Sequence, residues 1–307
     1  MDLIFQTTLQ KEVSCWGLGL HSGKKVHLRL SPSEENKGIR FFRLDKGNGL
    51  IEAKNDYVSS VNYATTLTRN GYSITTVEHL LAAIYALGIN NIDIYVDAEE
   101  IPIMDGSAAP YLVLLDEAGI KRLPCRVRYL KLIDKVSIRE GDRIIEAYPS
   151  DNFQISYTIV FDHPIIGVQE KSFIIRKKTF RQEISPARTF GFLSDVENMR
   201  KSGLALGGGL HNAIILSEKG ILNKNLRFQD EFVRHKILDL IGDLSLIGYP
   251  ILAHIKAYKA GHSLHFRLVS EILQCKDKWI LVEAFRMPSG KITFGQILSP
   301  ASNTTSH

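Results

Sequence analysis

The sequence predicts an α+β fold of two similarly built halves, each placing its strands before a pair of helices. Three observations carry that expectation. The opening third alternates apolar and polar residues in short runs separated by Gly, Pro and Asn, the pattern of half-buried strands. TTVEHLLAAIYALG at 75–88 and APYLVLLDEAGI at 109–120 then carry apolar residues at helical spacing. The same order recurs in outline after residue 126. No residue-by-residue repeat accompanies the recurrence, so duplication rests on the pattern alone.

In chain order, VHLRLSP, GIRFFRL and GLIEAKNDYVSSV read as strands, and Gly88 closes the first helix as a C-terminal cap. NIDIYVDAEEIPIMDGSA returns to strand and turn before the second helix. KRLPCRVR at 121–128, with its proline and charges, marks a boundary between a first domain at 1–125 and a second at 126–307. RYLKLIDKVSIREGDRIIEAYP, FQISYTIVFDHP and KSFIIRKKTF read as further strands. After SPARTFGF come the glycine-rich SGLALGGGLHNAIIL, the long helix DEFVRHKILDLIGDLSLIG and a last helix near SLHFRLVSEILQ. The small, polar ending SPASNTTSH is expected to fray.

Composition narrows the function classes. With 307 residues, 44% hydrophobic and 23% charged, the chain has a packed core and room for two domains. A net charge of +5 and a pI near 8.9 suit an anionic ligand. Nucleic acid is not expected as a partner, because no basic stripe interleaved with aromatics is present. RKKTFR at 176–181 comes nearest, and reads as a solvated strand end. Cys15, Cys125 and Cys275 are odd in number and far apart, which excludes a disulfide framework and fits a reducing cytoplasm. No secretory signal and no run of 18 apolar residues is visible, so a cytoplasmic protein without a transmembrane segment is expected.

Glu78 and His79 open the first helix side by side. Thr75 and Glu78 have the spacing of a capping box, whereas a histidine near a helix N-terminus tends to stay neutral, as a metal ligand must. Both readings stand. On DEFVRHKILDLIGDL, Val233, Ile237, Leu240, Ile241 and Leu244 gather on one arc, and His235, Lys236, Asp239 and Asp243 on the other. That second arc is either a solvated face or a functional one, and short Asp residues inside a helix favour a task. His262 and His265 start the last helix, where a proton donor can be presented to a site. No HExxH occurs, and GLGLHSG at 17–23 lacks the third glycine and the βαβ context of a dinucleotide fingerprint. GGG at 207–209 is a flexible loop or a place of close ligand approach. Together His79, His235 and Asp239 supply three ligands with room for a fourth, the make-up of a catalytic zinc site.

TTVEHLLAA, IPIMDGSAAP, SPARTFGF, FVRHKILDLIGDL and YKAGH, in this order, closely resemble the UDP-3-O-acyl-N-acetylglucosamine deacetylases, the zinc-dependent family that commits Gram-negative bacteria to lipid A synthesis. GLGLHSG and FDHP also match, and the resemblance runs from about residue 3 to 275. It implies one Zn²⁺ on His79, His235 and Asp239, with Glu78 as general base and His262 as general acid. Thr189 is implied as an oxyanion partner and Asp243 as the group that orients and charges His262. Lys236, Lys259, Phe161 and Phe190 match residues near the nucleotide sugar. Arg143 stands where some relatives have lysine, which keeps the charge but changes the donor geometry. The resemblance further implies two α+β domains whose helices face each other across the site. A βαβ insert at about 190–216 would form an acyl passage lined by Leu193, Val196, Leu204, Ala205 and Leu210. The implied substrate is a UDP-linked acylated amino sugar, and the implied state a monomer. A catalytically idle nucleotide-sugar binder, or a zinc amidohydrolase for another acylated amino sugar, are the competing readings.

Overall fold

Alternating side chains become sheets. In the strand Lys25–Pro32, Val26, Leu28 and Leu30 are fully buried while His27 and Arg29 between them are partly exposed, the period-two burial of a sheet with one face on a core. The computed structural model describes residues 4–289 and 292–296. That strand belongs to a five-stranded sheet ordered Val13–Leu18, Lys25–Pro32, Ile92–Val96, Ile39–Arg43, Gly49–Glu52. Ile39–Arg43 and Ile92–Val96 run parallel, and the other neighbours are antiparallel. A three-stranded sheet, Val58–Ser60, Thr66–Arg69 and Tyr72–Ile74, leads into helix α1 (Glu78–Leu87). Helix α2 (Ala109–Ala118) follows Ile92–Val96.

The later part builds an eight-stranded sheet. Its main path runs Val136–Glu140, Arg143–Pro149, Ile251–Tyr258, Arg128–Leu132, Trp279–Arg286, Ile292–Gln296. Gln154–Val160 joins alongside Ile251–Tyr258 in parallel and carries Val168–Ile174 on its other edge. The helices here are α3 (Lys177–Thr179), α4 (Leu193–Lys201), α5 (Glu231–Leu244) and α6 (His262–Gln274). Phe190–Phe192 and Ile214–Leu216 pair in parallel, with α4 between them in sequence. The molecule is thus mixed sheet and helix, with six α-helices among the described residues.

Three segments differ from the sequence reading. KSFIIRKKTF is a strand only as far as Ile174; Lys177–Thr179 is helical and Phe180–Ile184 forms a π turn. One helical turn brings Phe180 and Ile184 to the same part of the core, where both are fully buried, whereas four extended residues would hold them roughly 13 Å apart. KRLPCRVR, read as a boundary without secondary structure of its own, is largely strand: Ile120–Arg126 pairs antiparallel with Phe5–Leu9. Pro124 sits where that register shifts, the position a strand proline tolerates. Strands also follow the last helix: Trp279–Arg286 and Ile292–Gln296 extend the large sheet. The closing SPASNTTSH lies outside the described residues.

Helix α1 is buried on every side except at Tyr85, as expected of a helix apolar all round. Its C-terminus is closed by Gly88 in the left-handed conformation, φ 73°. It packs against α5 so closely that a Cβ on Gly242 would lie 2.1 Å from the Glu78 carbonyl oxygen. Only glycine permits that approach.

Candidate metal centre

The first turn of α1 is not capped by its own sequence. Val77 is the N-cap residue and offers no side-chain bond. Thr75 Oγ1 accepts from Thr66 Oγ1 at 2.8 Å, and the Thr75 N–H donates to the Glu99 carbonyl at 3.0 Å. The helix begins at Glu78 itself, so its carboxylate cannot reach back as a third-position cap. Instead Glu78 Oε2 accepts the Thr65 N–H at 3.1 Å. The capping-box reading is therefore set aside.

On α5 the polar arc faces inward. His235, Asp239 and Asp243 are each no more than 3% exposed, because α1 covers them along the Gly242 contact. Asp239 Oδ1 lies 3.2 Å from His235 Nε2 and 3.6 Å from His79 Nε2. The two imidazoles stand edge to face, 4.9 Å between ring centres. His235 Nδ1 is 3.1 Å from the Ala187 carbonyl oxygen. A carbonyl can only accept, so Nδ1 carries the hydrogen and Nε2 presents its lone pair to the carboxylate. Burial is the main cause that pushes the His235 pKa down to about 3, against the pull of Asp239. The ring is neutral, as a ligand must be. Burial alone would raise the Asp239 pKa, but His235, Lys236, His79 and His262 together hold it well below the ordinary carboxylate range. Its other oxygen is taken by Lys236 Nζ at 2.8 Å.

These donors fit a metal. Four bonds of about 2.0–2.1 Å in a tetrahedron place ligand atoms about 3.3–3.5 Å apart, which the two measured separations bracket. Asp243, His262 and His265 form a second group close enough to be considered, but here the distances are those of hydrogen bonds. Asp243 Oδ2 is 2.7 Å from His262 Nδ1 and 2.8 Å from His265 Nδ1, too short for two ligands on one ion.

That second group is a buried hydrogen-bonded network. Thr65 Oγ1 donates to Asp243 Oδ1 at 2.7 Å, and His265 Nε2 meets the Tyr157 hydroxyl at 3.0 Å. Burial would raise the Asp243 pKa, but the charges and hydrogen bonds of His262 and His265 drive it far below the usual range. Burial would lower that of His262, yet Asp243, Asp239 and Glu78 lift it to about 9. His265, fully buried, is shifted down chiefly by burial. Glu78 is shifted up, by burial first and by the Asp243 and Asp239 charges, with His262 and His79 opposing. The site therefore holds one carboxyl that gives up its proton reluctantly and one imidazole that keeps its own.

The other expected residues fall into two places. Thr189 and Phe190 line a cavity of about 230 Å³ with Leu193, Val196, Ala205 and Leu210; Leu204 is not part of its wall. Phe190 joins that cavity to the metal group, its ring 6.3 Å from His235 and 5.9 Å from Phe161, with Lys236 Nζ 5.8 Å from its centre. The peptide of Thr189 is fixed by Gly106, whose carbonyl accepts the Thr189 N–H at 2.8 Å. Arg143 and Lys259 stand near each other at the strand ends of the large sheet, where Ile144 pairs with Tyr258. Arg143 bonds Glu140, and Lys259 bonds Asp142 at 2.5 Å. Thr65, Tyr157, His265 as a partner of Asp243, and the Ala187 carbonyl were not assigned from sequence.

The glycine motifs also find a use. Glu100, fully buried, accepts from the His21 and Ser22 N–H groups and from the hydroxyls of Ser22 and Thr76, which fixes GLGLHSG as a loop. Gly207 packs on that loop: a Cβ there would stand 2.1 Å from the Gly19 carbonyl oxygen.

Two imidazoles and a carboxylate converging beside the buried Glu78 and the His262–Asp243 pair fit a class, the hydrolases that work through a bound metal. The chain belongs to the UDP-3-O-acyl N-acetylglycosamine deacetylase family, whose model matches residues 6–274. It is 44% identical over 284 residues to the UDP-3-O-acyl-N-acetylglucosamine deacetylase of Syntrophotalea carbinolica, covering 92% of each chain. Proteins of the same name from Nitratiruptor sp. and Thermodesulfovibrio yellowstonii are each 46% identical, over 91% and 88% of this chain and 94% and 92% of their own. No helix among the described residues is long and apolar enough to cross a membrane.

Proposed function

We propose that this chain hydrolyses the N-acetyl group of a UDP-linked 3-O-(3-hydroxyacyl)-N-acetylglucosamine in lipid A biosynthesis, releasing acetate and leaving the free amine. The observation that carries the reading is the placement of Glu78 and His262 beside the His79–His235–Asp239 group, linked through Thr65 and Asp243. One Zn²⁺ held by those three ligands would supply Lewis acidity, lowering the pKa of a bound water toward about 7 and polarising the acetyl carbonyl.

The chain's own residues do the rest. Glu78 takes a proton from the attacking water, a role worth on the order of 10²–10⁴-fold. His262, cationic through Asp243, gives its proton to the departing glucosamine nitrogen. Thr189 assists the developing oxyanion. Lys236 and Phe161 bind the nucleotide sugar, and Arg143 and Lys259 its diphosphate once released from Glu140 and Asp142. The cavity walled by Leu193, Val196, Ala205 and Leu210 receives the acyl chain. We assign 1–125 and 126–307 to two domains with an insert near 190–216, and place a monomer in the cytoplasm, without nucleic acid.

Acetate release from the UDP-linked acylated sugar, compared with its unacylated counterpart, tests the reading. Faster turnover of the acylated sugar is expected, and equal rates would remove the acyl cavity from the account. A catalytically idle sugar binder is disfavoured by the intact Glu78 and His262.

A further inference from the structure

A second recess lies away from the metal group, at the far end of α1. Tyr85, two turns after Glu78, forms part of its floor with Phe153, Leu252 and Phe294. Its volume is about 900 Å³, within the range of pockets that enclose small ligands, about 300–1,000 Å³. The strands Ile251–Tyr258 and Ile292–Gln296 and the turn after Ile174 wall it in.

Its rim is cationic. Arg176, Lys177 and Lys178, the basic run that reads as a solvated strand end, are turned onto the mouth by the helical turn that replaces the strand. Among the described residues none of the three has a carboxylate within ion-pair distance. The only acid in the lining, Asp151, is paired at 2.5 Å with Lys131. An apolar floor beneath three positive charges that make no direct ion pair is complementary to a molecule with an apolar body and an anionic head.

We infer that this recess is a second binding site, for a free single-chain amphiphile with an anionic head. A bilayer surface fits less well. Phe153 and Leu252 are no more than 8% exposed, so the apolar surface is sunk in the recess, where a chain can enter but a flat membrane cannot follow. The site is separate from the cavity at Leu193–Leu210 and shares no lining residue with it.

Calorimetric titration of the full chain, metal loaded, with dodecyl phosphate below its micelle concentration tests the inference. One saturable site is expected, with dodecanol and inorganic phosphate each binding at least about tenfold more weakly. Replacing Arg176, Lys177 and Lys178 together by alanine is expected to weaken binding about tenfold, the size expected of three solvent-facing charges. Ile174→Trp, at a position 39% exposed on the wall, is expected to block the site while leaving acetate release and thermal stability unchanged. Undiminished binding in both variants would place the amphiphile in the catalytic cavity and overturn the proposal. Binding to anionic phosphatidylglycerol vesicles but not to free dodecyl phosphate would also overturn it.

Discussion

His262 Nδ1 lies 2.7 Å from Asp243 Oδ2, and the same carboxylate oxygen receives His265 at 2.8 Å. One buried anion thus faces two imidazoles, and only His262 is cationic at neutral pH, its pKa lifted to about 9. His265 is driven toward the neutral form, chiefly by burial. The charge is placed on the imidazole whose Nε2 looks toward Asp239, 3.8 Å away.

Removing the Asp243 charge should move the alkaline limb of the pH–rate profile. A raised imidazole pKa means the acid is present below that value and lost as pH rises through it. In Asp243→Asn the limb is expected to fall from the region of about 9 toward the ordinary histidine range near 6.5. A bound cation would lower both limbs, so the readout is the displacement between wild type and variant. An unmoved limb contradicts the assignment.

Glu78→Gln keeps the shape and removes the base. Turnover is expected to fall by roughly 10²–10⁴-fold, with metal content measured by atomic emission unchanged. Turnover within a few-fold of wild type would show that Glu78 serves only to receive the Thr65 N–H.

Thr65→Val deletes a hydroxyl that donates to the buried Asp243. Leaving a buried charge short of one donor costs about 1–3 kcal/mol, to be read from chemical denaturation. The alkaline limb should move upward slightly, because a less stabilised Asp243 anion binds the His262 proton harder. An unchanged stability would mean that Thr65 is replaced by solvent without loss.

Gly242→Ala tests the packing that brings the ligands together. Its Cβ would overlap the Glu78 carbonyl, so α1 and α5 must separate. Overpacking of this kind costs about 1–3 kcal/mol, and metal affinity should fall with it, because His79 and Asp239 sit on the separated helices. A variant with wild-type stability and metal content would show that the contact is slack.

Much of this site was legible because its members announce themselves locally. Glu78 and His79 stand next to each other on an apolar helix, and His235, Asp239 and Asp243 repeat at one-turn spacing. The choice between a solvated arc and a functional one was not local, since it depends on α1 covering α5. Thr65 left no pattern because its partners Glu78 and Asp243 lie 13 and 178 positions away and any hydroxyl in a loop looks alike. The basic run at 176–181 misled for a related reason: its cations advertise solvent, whereas Phe180 and Ile184 set the backbone by seeking the core. The strands after α6 carried no motif, and their place is set by pairing with Arg128–Leu132, far away in sequence.

We propose that His79, His235 and Asp239 hold the metal on which amide hydrolysis by this chain depends. Metal content and acetate release should be measured together on wild type and Asp239→Ala, before and after chelation. The account predicts one zinc per wild-type chain, activity abolished by the chelator and restored by zinc, and neither metal nor activity in the variant. Full zinc content in Asp239→Ala, or undiminished acetate release from the metal-free wild type, would contradict it.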